Sequence, residues 1–338
     1  MPLTIDEAML AEARRFNRLL ARLPRFGMRH RFAPILIQGL LRLSQIGADR
    51  KLRRAGLRVE RVLAQADGLQ VPLRVIHPAG SPKGVVFDIH GGGWVIGNAR
   101  MNDAFNAEFA SRCQTIVVSV DYRLATSASL DNMMDDCLAA ARWLLQDGPA
   151  GAAGLPVIVV GESAGAHLAA ATLLRLKVWP ELLARVSGAV LYYGVFDLAG
   201  SASVRAAGPQ TLLLDGPRML PGLRMLTPGM NDDERRQAPR SPLFGDLAGM
   251  PPALMFVGDL DPLLDDTLAM ARAWKQVADI ELHVVPHAPH GFIHFPTALA
   301  TMTRVHAQSW VSEHLMSAQV KRAGSHDSFV DKGSEFWQ

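Results

Sequence analysis

Leu155-Pro156-Val157-Ile158-Val159-Val160-Gly161-Glu162-Ser163-Ala164-Gly165-Ala166-His167-Leu168-Ala169-Ala170-Ala171-Thr172-Leu173-Leu174 decides the fold. A β-branched apolar run reads as a buried strand, and the alanine- and leucine-rich run that follows reads as a helix. Between them Gly161 to Gly165 forms G-x-S-x-G. A serine on so sharp a strand-to-helix turn sits in strained backbone, and only small neighbours let the chain reverse there. The turn lifts the Ser163 hydroxyl clear of the sheet. It also places that hydroxyl beside a helix N-terminus, where backbone N–H groups point outward. Taken alone, the motif could serve packing only; its strand–turn–helix context points to a nucleophile.

Outward from this stretch, apolar runs alternate with helical patterns. Gly84 to Ile89, Thr115 to Val120, Gly188 to Tyr193, Leu254 to Val257 and Ile280 to Val285 read as strands. Asn102 to Arg112, Met133 to Leu145 and Phe295 to Met316 read as helices. Such alternation predicts an α/β fold with a mostly parallel central sheet flanked by helices. Ahead of it, Leu57 to Leu63 and Val71 to Val75 read as two strands joined near Asp67-Gly68. Earlier still, Thr4-Ile5-Asp6-Glu7 reads as a capping box opening a helix that Pro24 ends. A second helix runs from about Pro34 to Gly47. These helices precede every strand and read as part of a cap. Residues 198–239 interrupt the alternation with a Gly-, Pro-, Leu- and Met-rich insertion too long for a simple loop, read as the second part of that cap. The expected division is a cap segment over 1–55, a catalytic domain over 56–320 with the 198–239 insertion, and a mobile tail over 321–338.

The chain has 338 residues, 49% hydrophobic and 20% charged, with a net charge of +3. These values fit a globular protein and point to no nucleic-acid partner. Arginines crowd the first sixty residues, and they read as the solvated faces of packed helices rather than a membrane or nucleic-acid patch. Two cysteines, Cys113 and Cys137, lack metal-ligand spacing, so a reduced, cytoplasmic protein is expected. Asp6, Glu7 and Glu12 fall where the apolar core of a signal peptide would lie, and no apolar stretch is long enough for stable membrane insertion.

A serine hydroxyl needs a base, and the base an orienting acid. Gly258-Asp259-Leu260-Asp261-Pro262-Leu263 follows a strand; Asp261, just before a helix-starting proline, is preferred to Asp259 as the acid. Asp265 and Asp266 read as solvated first-turn residues. His287-Ala288-Pro289-His290-Gly291-Phe292 follows the next strand. His290, with Gly291 leaving room for a sharp loop, is preferred to His287 as the base. His283, His287, His290 and His294 are clustered, but no carboxylate or cysteine pattern supports a metal site, and none is expected. His90-Gly91-Gly92-Gly93-Trp94 follows the strand ending at Ile89. Its glycines allow the backbone to approach a substrate closely. Gly92 and Gly93 N–H, with Ala164 N–H, are the expected donors to a tetrahedral oxyanion. Gly91 shapes the turn, and His90 holds the loop.

These motifs, together with Asp121-Tyr122-Arg123-Leu124-Ala125, resemble in order and spacing the bacterial hormone-sensitive-lipase-like esterases, family IV of the α/β-hydrolases. The resemblance spans roughly Val85 to His314, and the N-terminal helices are similar to that family's cap. It implies an α/β-hydrolase fold, hydrolysis of a small carboxylic ester, no cofactor, and a triad of Ser163, Asp261 and His290. It also admits a homodimer through the sheet edge or the last helix. Short- to medium-chain esters are expected. A non-catalytic small-molecule receptor, an amidase and an acyltransferase are the alternatives on the same fold. Two departures stand out. Glu162 replaces the family's usual aspartate. Thr126-Ser127-Ala128-Ser129 replaces a Pro-Glu-His-Pro turn that stiffens the scaffold beside the site.

Overall fold

The computed structural model describes residues 3–26 and 33–331. Among these residues eight strands form one sheet: β1 (Arg58–Ala66), β2 (Leu69–His77), β3 (Gly84–Ile89), β4 (Thr115–Val120), β5 (Val157–Glu162), β6 (Val186–Tyr192), β7 (Ala253–Gly258) and β8 (Ile280–Val285). Their order is β1-β2-β4-β3-β5-β6-β7-β8. β1 and β2 form an antiparallel hairpin, and β2 meets β4 antiparallel; every other pairing is parallel. The hairpin turns at Asp67 and Gly68, both at positive φ (53° and 76°), the mirror-image turn that matches strand twist.

β3, β4, β5 and β7 are buried along their whole length. That is why they are continuous apolar runs rather than alternating ones: helices cover both faces. Side chains still alternate between two cores. Val85, Phe87 and Ile89 enter one, with α5 (Leu130–Gln146), α6 (Ala164–Leu176) and α11 (Leu264–Trp274). Val86 enters the other, with α4 (Asp103–Arg112) and α12 (Ala298–Asp331).

The N-terminal part holds α1 (Glu7–Leu20), α2 (Ala33–Ser44) and α3 (Ala48–Arg54). Three expectations change here. The N-cap of α1 is Asp6, whose side chain accepts from Met9 N–H at 2.8 Å, not Thr4; Met9 has no side-chain acceptor to complete a box. The second helix stops at Ser44, and α3 follows after Gly47, which turns the chain at φ 80°. The C-terminal helix, expected to end near Met316, continues to Asp331, so the predicted tail begins as helix; residues 332–338 lie outside the described residues. The insertion carries α8 (Ala202–Ala206), α9 (Gly216–Leu226) and α10 (Asp232–Arg235), after the short α7 (Pro180–Leu183) that precedes β6. It is joined to the N-terminal part by a parallel bridge between Phe26 and Leu214. Phe26 N–H donates to Leu213 O, and Asp215 N–H donates to Phe26 O at 2.8 Å. Among the described residues no helix is long and apolar enough to cross a membrane.

The turn from β5 into α6 has no room for side chains at its glycines. A Cβ at Gly165 would lie 1.9 Å from Ile89 O, and one at Gly161 would lie 2.5 Å from Gly165 O. Gly165→Ala should therefore destabilise by at least about 2 kcal/mol, as backbone cannot yield like a side chain. Gly39→Ala, in α2 with nothing within 4 Å of its Cβ, should be neutral or stabilising by up to about 1 kcal/mol. Denaturant unfolding of the two variants measures the contrast.

Candidate active site

Four loops meet at the carboxyl ends of β3, β5, β7 and β8, the edge where parallel sheets carry ligands. Ser163 follows β5 and precedes α6, at φ 53° and ψ −120°. Its own N–H donates to Tyr192 O at 2.9 Å, which ties the turn to β6. Such backbone is costly for a non-glycine residue and is held by the surrounding packing.

His290 reaches Ser163 from the loop after β8. Its Nε2 lies 2.9 Å from Ser163 Oγ, and its Nδ1 lies 2.9 Å from Asp261 Oδ2 and 3.2 Å from Oδ1. A charged Asp261 can only accept, so Nδ1 carries the ring proton, and Nε2 accepts from the serine hydroxyl. Asp261, in the loop after β7, is pinned further by Leu263 N–H, which donates to its Oδ1 at 2.8 Å. Both Asp261 and His290 are buried. The rivals lie elsewhere. His287 sits at φ 56°, and its ring nitrogen faces Arg14 at 3.4 Å. Asp259 is exposed, with its carboxyl above the ordinary range through partial burial.

The glycine run borders the same serine. Gly92 and Gly93 take φ of 100° and 59°, while Gly91 does not take positive φ. A Cβ on Gly92 would lie 2.1 Å from Ile96 O. Among the described residues neither Gly92 N–H nor Gly93 N–H donates to a protein acceptor. Ala164, first in α6, has an N–H with no intrahelical partner by position. His90 holds the loop: its Nδ1–H donates to Gly91 O at 2.8 Å, and its ring stacks on Tyr122 at 4.3 Å. Tyr122 O–H in turn donates to His90 O at 2.9 Å. Burial holds His90 below the ordinary imidazole range, so it is neutral.

The two departures find partners. Ser129 caps α5, its Oγ accepting from Asn132 N–H at 3.2 Å while Asn132 returns the bond. Ala125 N–H donates to Trp94 O at 2.7 Å, fastening this loop to the glycine run. Glu162 is buried and accepts from Tyr193 O–H at 3.0 Å and from His294 Nε2–H at 2.6 Å. Tyr193, at φ 38°, also sets its ring edge to face His290 with centroids 4.8 Å apart. The sequence marks Tyr193 only as the end of a strand and His294 only as one of four clustered histidines; the fold brings both to Glu162. One expectation is reversed: Asp266 is 0% exposed, not solvated. Its Oδ1 accepts from Phe196 and Asp197 N–H at 2.8 and 2.9 Å, and burial pushes its carboxyl up to about 6. It anchors the backbone entering the insertion. Separately, a cavity of about 620 Å³ is lined among others by Gln38, Arg74, Asn98 and Arg100, and not by Ser163.

A model of the alpha/beta hydrolase fold matches residues 86–294. The chain belongs to the α/β-hydrolase family. An esterase of Acinetobacter venetianus is 34% identical over 236 residues, 69% of this chain and 70% of that one. Carboxylesterase NlhH of Mycobacterium tuberculosis is 32% identical over 249 residues, 71% of this chain and 76% of that one. Among solved structures, esterase LipW from Mycobacterium marinum superposes with a TM-score of 0.77 at 26% identity, covering 92% of this chain and 98% of that one. An esterase from the bacterial hormone-sensitive lipase family gives 0.68 at 26% identity, covering 93% and 99%. Within the α/β-hydrolases the chain is a bacterial hormone-sensitive-lipase-like esterase, a carboxylic-ester hydrolase.

The Glu162–His294 pair gives this hydrolase a defined acid limit. Burial alone would raise Glu162, but the His294 charge and hydrogen bond, with Tyr193, outweigh it and lower the carboxyl from 4.5 to about 2. Its contribution to folding is complete above pH 4.5 and is lost as pH falls towards 2. His294 is raised above 6.5 chiefly by the Glu162 charge, so its contribution is complete below pH 6.5 and is lost as pH rises through the folded value. His294 is 40% exposed, and solvent screens its share. His294→Gln should therefore cost only about 1 kcal/mol below pH 6.5. It should also move the acid limb of unfolding to higher pH, as read from melting curves across pH.

Proposed function

We propose that Ser163 is the nucleophile, His290 the general base and acid, and Asp261 the residue that orients and stabilises the imidazolium. The continuous Ser163–His290–Asp261 hydrogen-bond chain carries this reading. Ser163 Oγ attacks the ester carbonyl carbon while His290 Nε2 takes its proton. The carbonyl oxygen becomes an oxyanion facing Gly92, Gly93 and Ala164 N–H; among the described residues the two glycine N–H groups have no protein acceptor to be displaced. The tetrahedral intermediate collapses; the alcohol leaves with the proton from His290, and Ser163 keeps the acyl group. Water then attacks the acyl carbon, giving its proton to His290, and the acid departs as Ser163 is reprotonated.

The N-terminal helices and the 198–239 insertion form the cap of this reading, supported by the Phe26–Leu214 bridge that joins them. Phe26 also stands beside the glycine run: a Cβ at Gly93 would lie 3.7 Å from its ring. An aromatic ring beside the proposed oxyanion donors narrows the space there, which favours short- to medium-chain esters. The two buried, unpaired cysteines suit a reducing cytoplasm.

Asp261→Asn should lower kcat about 10⁴-fold with KM little changed, because it leaves the wrong imidazole tautomer. Across a p-nitrophenyl ester series the wild type should peak at short to medium acyl chains, and Phe26→Ala should shift the peak to longer ones. A wild-type maximum at long chains contradicts the cap reading, whereas an unchanged kcat in Asp261→Asn contradicts the triad.

A further inference from the structure

β8 is the edge strand of the sheet, and it carries chemistry that ester hydrolysis does not use. Glu281 and His283 stand two residues apart on it and so project to the same face. His306, from α12, joins them there. His283 Nε2 and His306 Nε2 lie 2.7 and 2.8 Å from one and the same carboxylate oxygen, Glu281 Oε1. The ligand atoms of all three residues lie within 4.8 Å of one another.

The rings are held in place. The His283 and His306 centroids are 4.7 Å apart at 76°, and Phe256 stacks on His283 at 5.2 Å. All three residues are half-buried, so a site among them is partly shielded yet open to entry from solvent. Two imidazole nitrogens and a carboxylate, converging from a strand and a helix, are the donor set of borderline divalent ions.

We propose that Glu281, His283 and His306 form a binding site for a divalent transition-metal ion of the zinc class. The ion takes the place of the two Nε2–H hydrogen bonds to Glu281 Oε1: each ring proton passes from Nε2 to Nδ1 through solvent, and the ion accepts the freed Nε2 lone pairs and one oxygen of Glu281. Three protein ligands leave a fourth position for water. Bound there, the ion cross-links the edge strand to the C-terminal helix. β8 ends at Val285 and leads into the loop that carries His290, so the cross-link braces the strand behind that loop. The inference is independent of the role given to Ser163.

The test uses the full chain, stripped of metal with a chelator and then titrated with Zn²⁺ by calorimetry near neutral pH. One equivalent should bind with a Kd of about 10 µM or tighter, and Zn²⁺ should raise the melting temperature. His283→Ala and His306→Ala should each weaken binding at least about tenfold and remove the thermal gain. His314→Ala, whose ring stacks on Trp310 away from the cluster, should bind as the wild type does. Glu281→Gln keeps the side-chain volume and should also weaken binding, which decides the matter if a histidine variant fails to fold. Absence of binding up to about 1 mM Zn²⁺ overturns the proposal. So does binding that survives the substitutions intact.

Discussion

The site depends on how closely the turn after β5 packs beneath the end of β3. A side chain at Gly165 would meet Ile89 O at 1.9 Å, and one at Gly91 would meet Glu162 O at 3.0 Å. Backbone therefore lies directly on backbone. This contact brings the first turn of α6 under the glycine run, so N–H groups from two distant parts of the chain border one serine. It also forces Ser163 to φ 53°, a conformation that persists only because the strands on either side hold it. The steric constraint precedes the chemistry: without it neither the serine nor its donors would share a point.

Electrostatics then supports what sterics has placed. Glu162, next to Ser163 in sequence, is buried as a carboxylate and needs partners. His294, from the segment just past His290, supplies charge and a hydrogen bond, and Tyr193 supplies another. Tyr193 also packs against the His290 ring. The three residues thus tie the turn after β5, the end of β6 and the His290 loop into one unit. Replacement of the family's usual aspartate by Glu162 keeps the charge, and its Oε2 takes both hydrogen bonds.

Legibility in the sequence followed the range of the interactions. Ser163, Asp261 and His290 could be read because each sits directly after an apolar run, with a glycine or proline marking the turn. The strand–helix alternation was readable for the same reason. What escaped depends on partners far away in the chain. Asp266 looks like an ordinary first-turn acid, yet the N–H groups it satisfies lie about seventy positions earlier, at Phe196 and Asp197. The histidine cluster concealed two different associations: His294 with Glu162, and His283 with His306 from α12. Phe26 carries no motif at all, and only the pairing with Leu214 shows that it joins the N-terminal part to the insertion. The helical run past Met316 has no apolar stripe to announce it, so its extent could not be read from periodicity.

If Ser163, activated by His290, forms a covalent acyl intermediate, a p-nitrophenyl phosphonate ester should trap it. Followed by intact-mass and peptide mass spectrometry, the reaction should give one adduct per chain, located on Ser163, with activity lost in parallel. Labelling should be slow in His290→Ala and absent in Ser163→Ala. An adduct on another residue, or full activity in a chain labelled at Ser163, would contradict this role of Ser163.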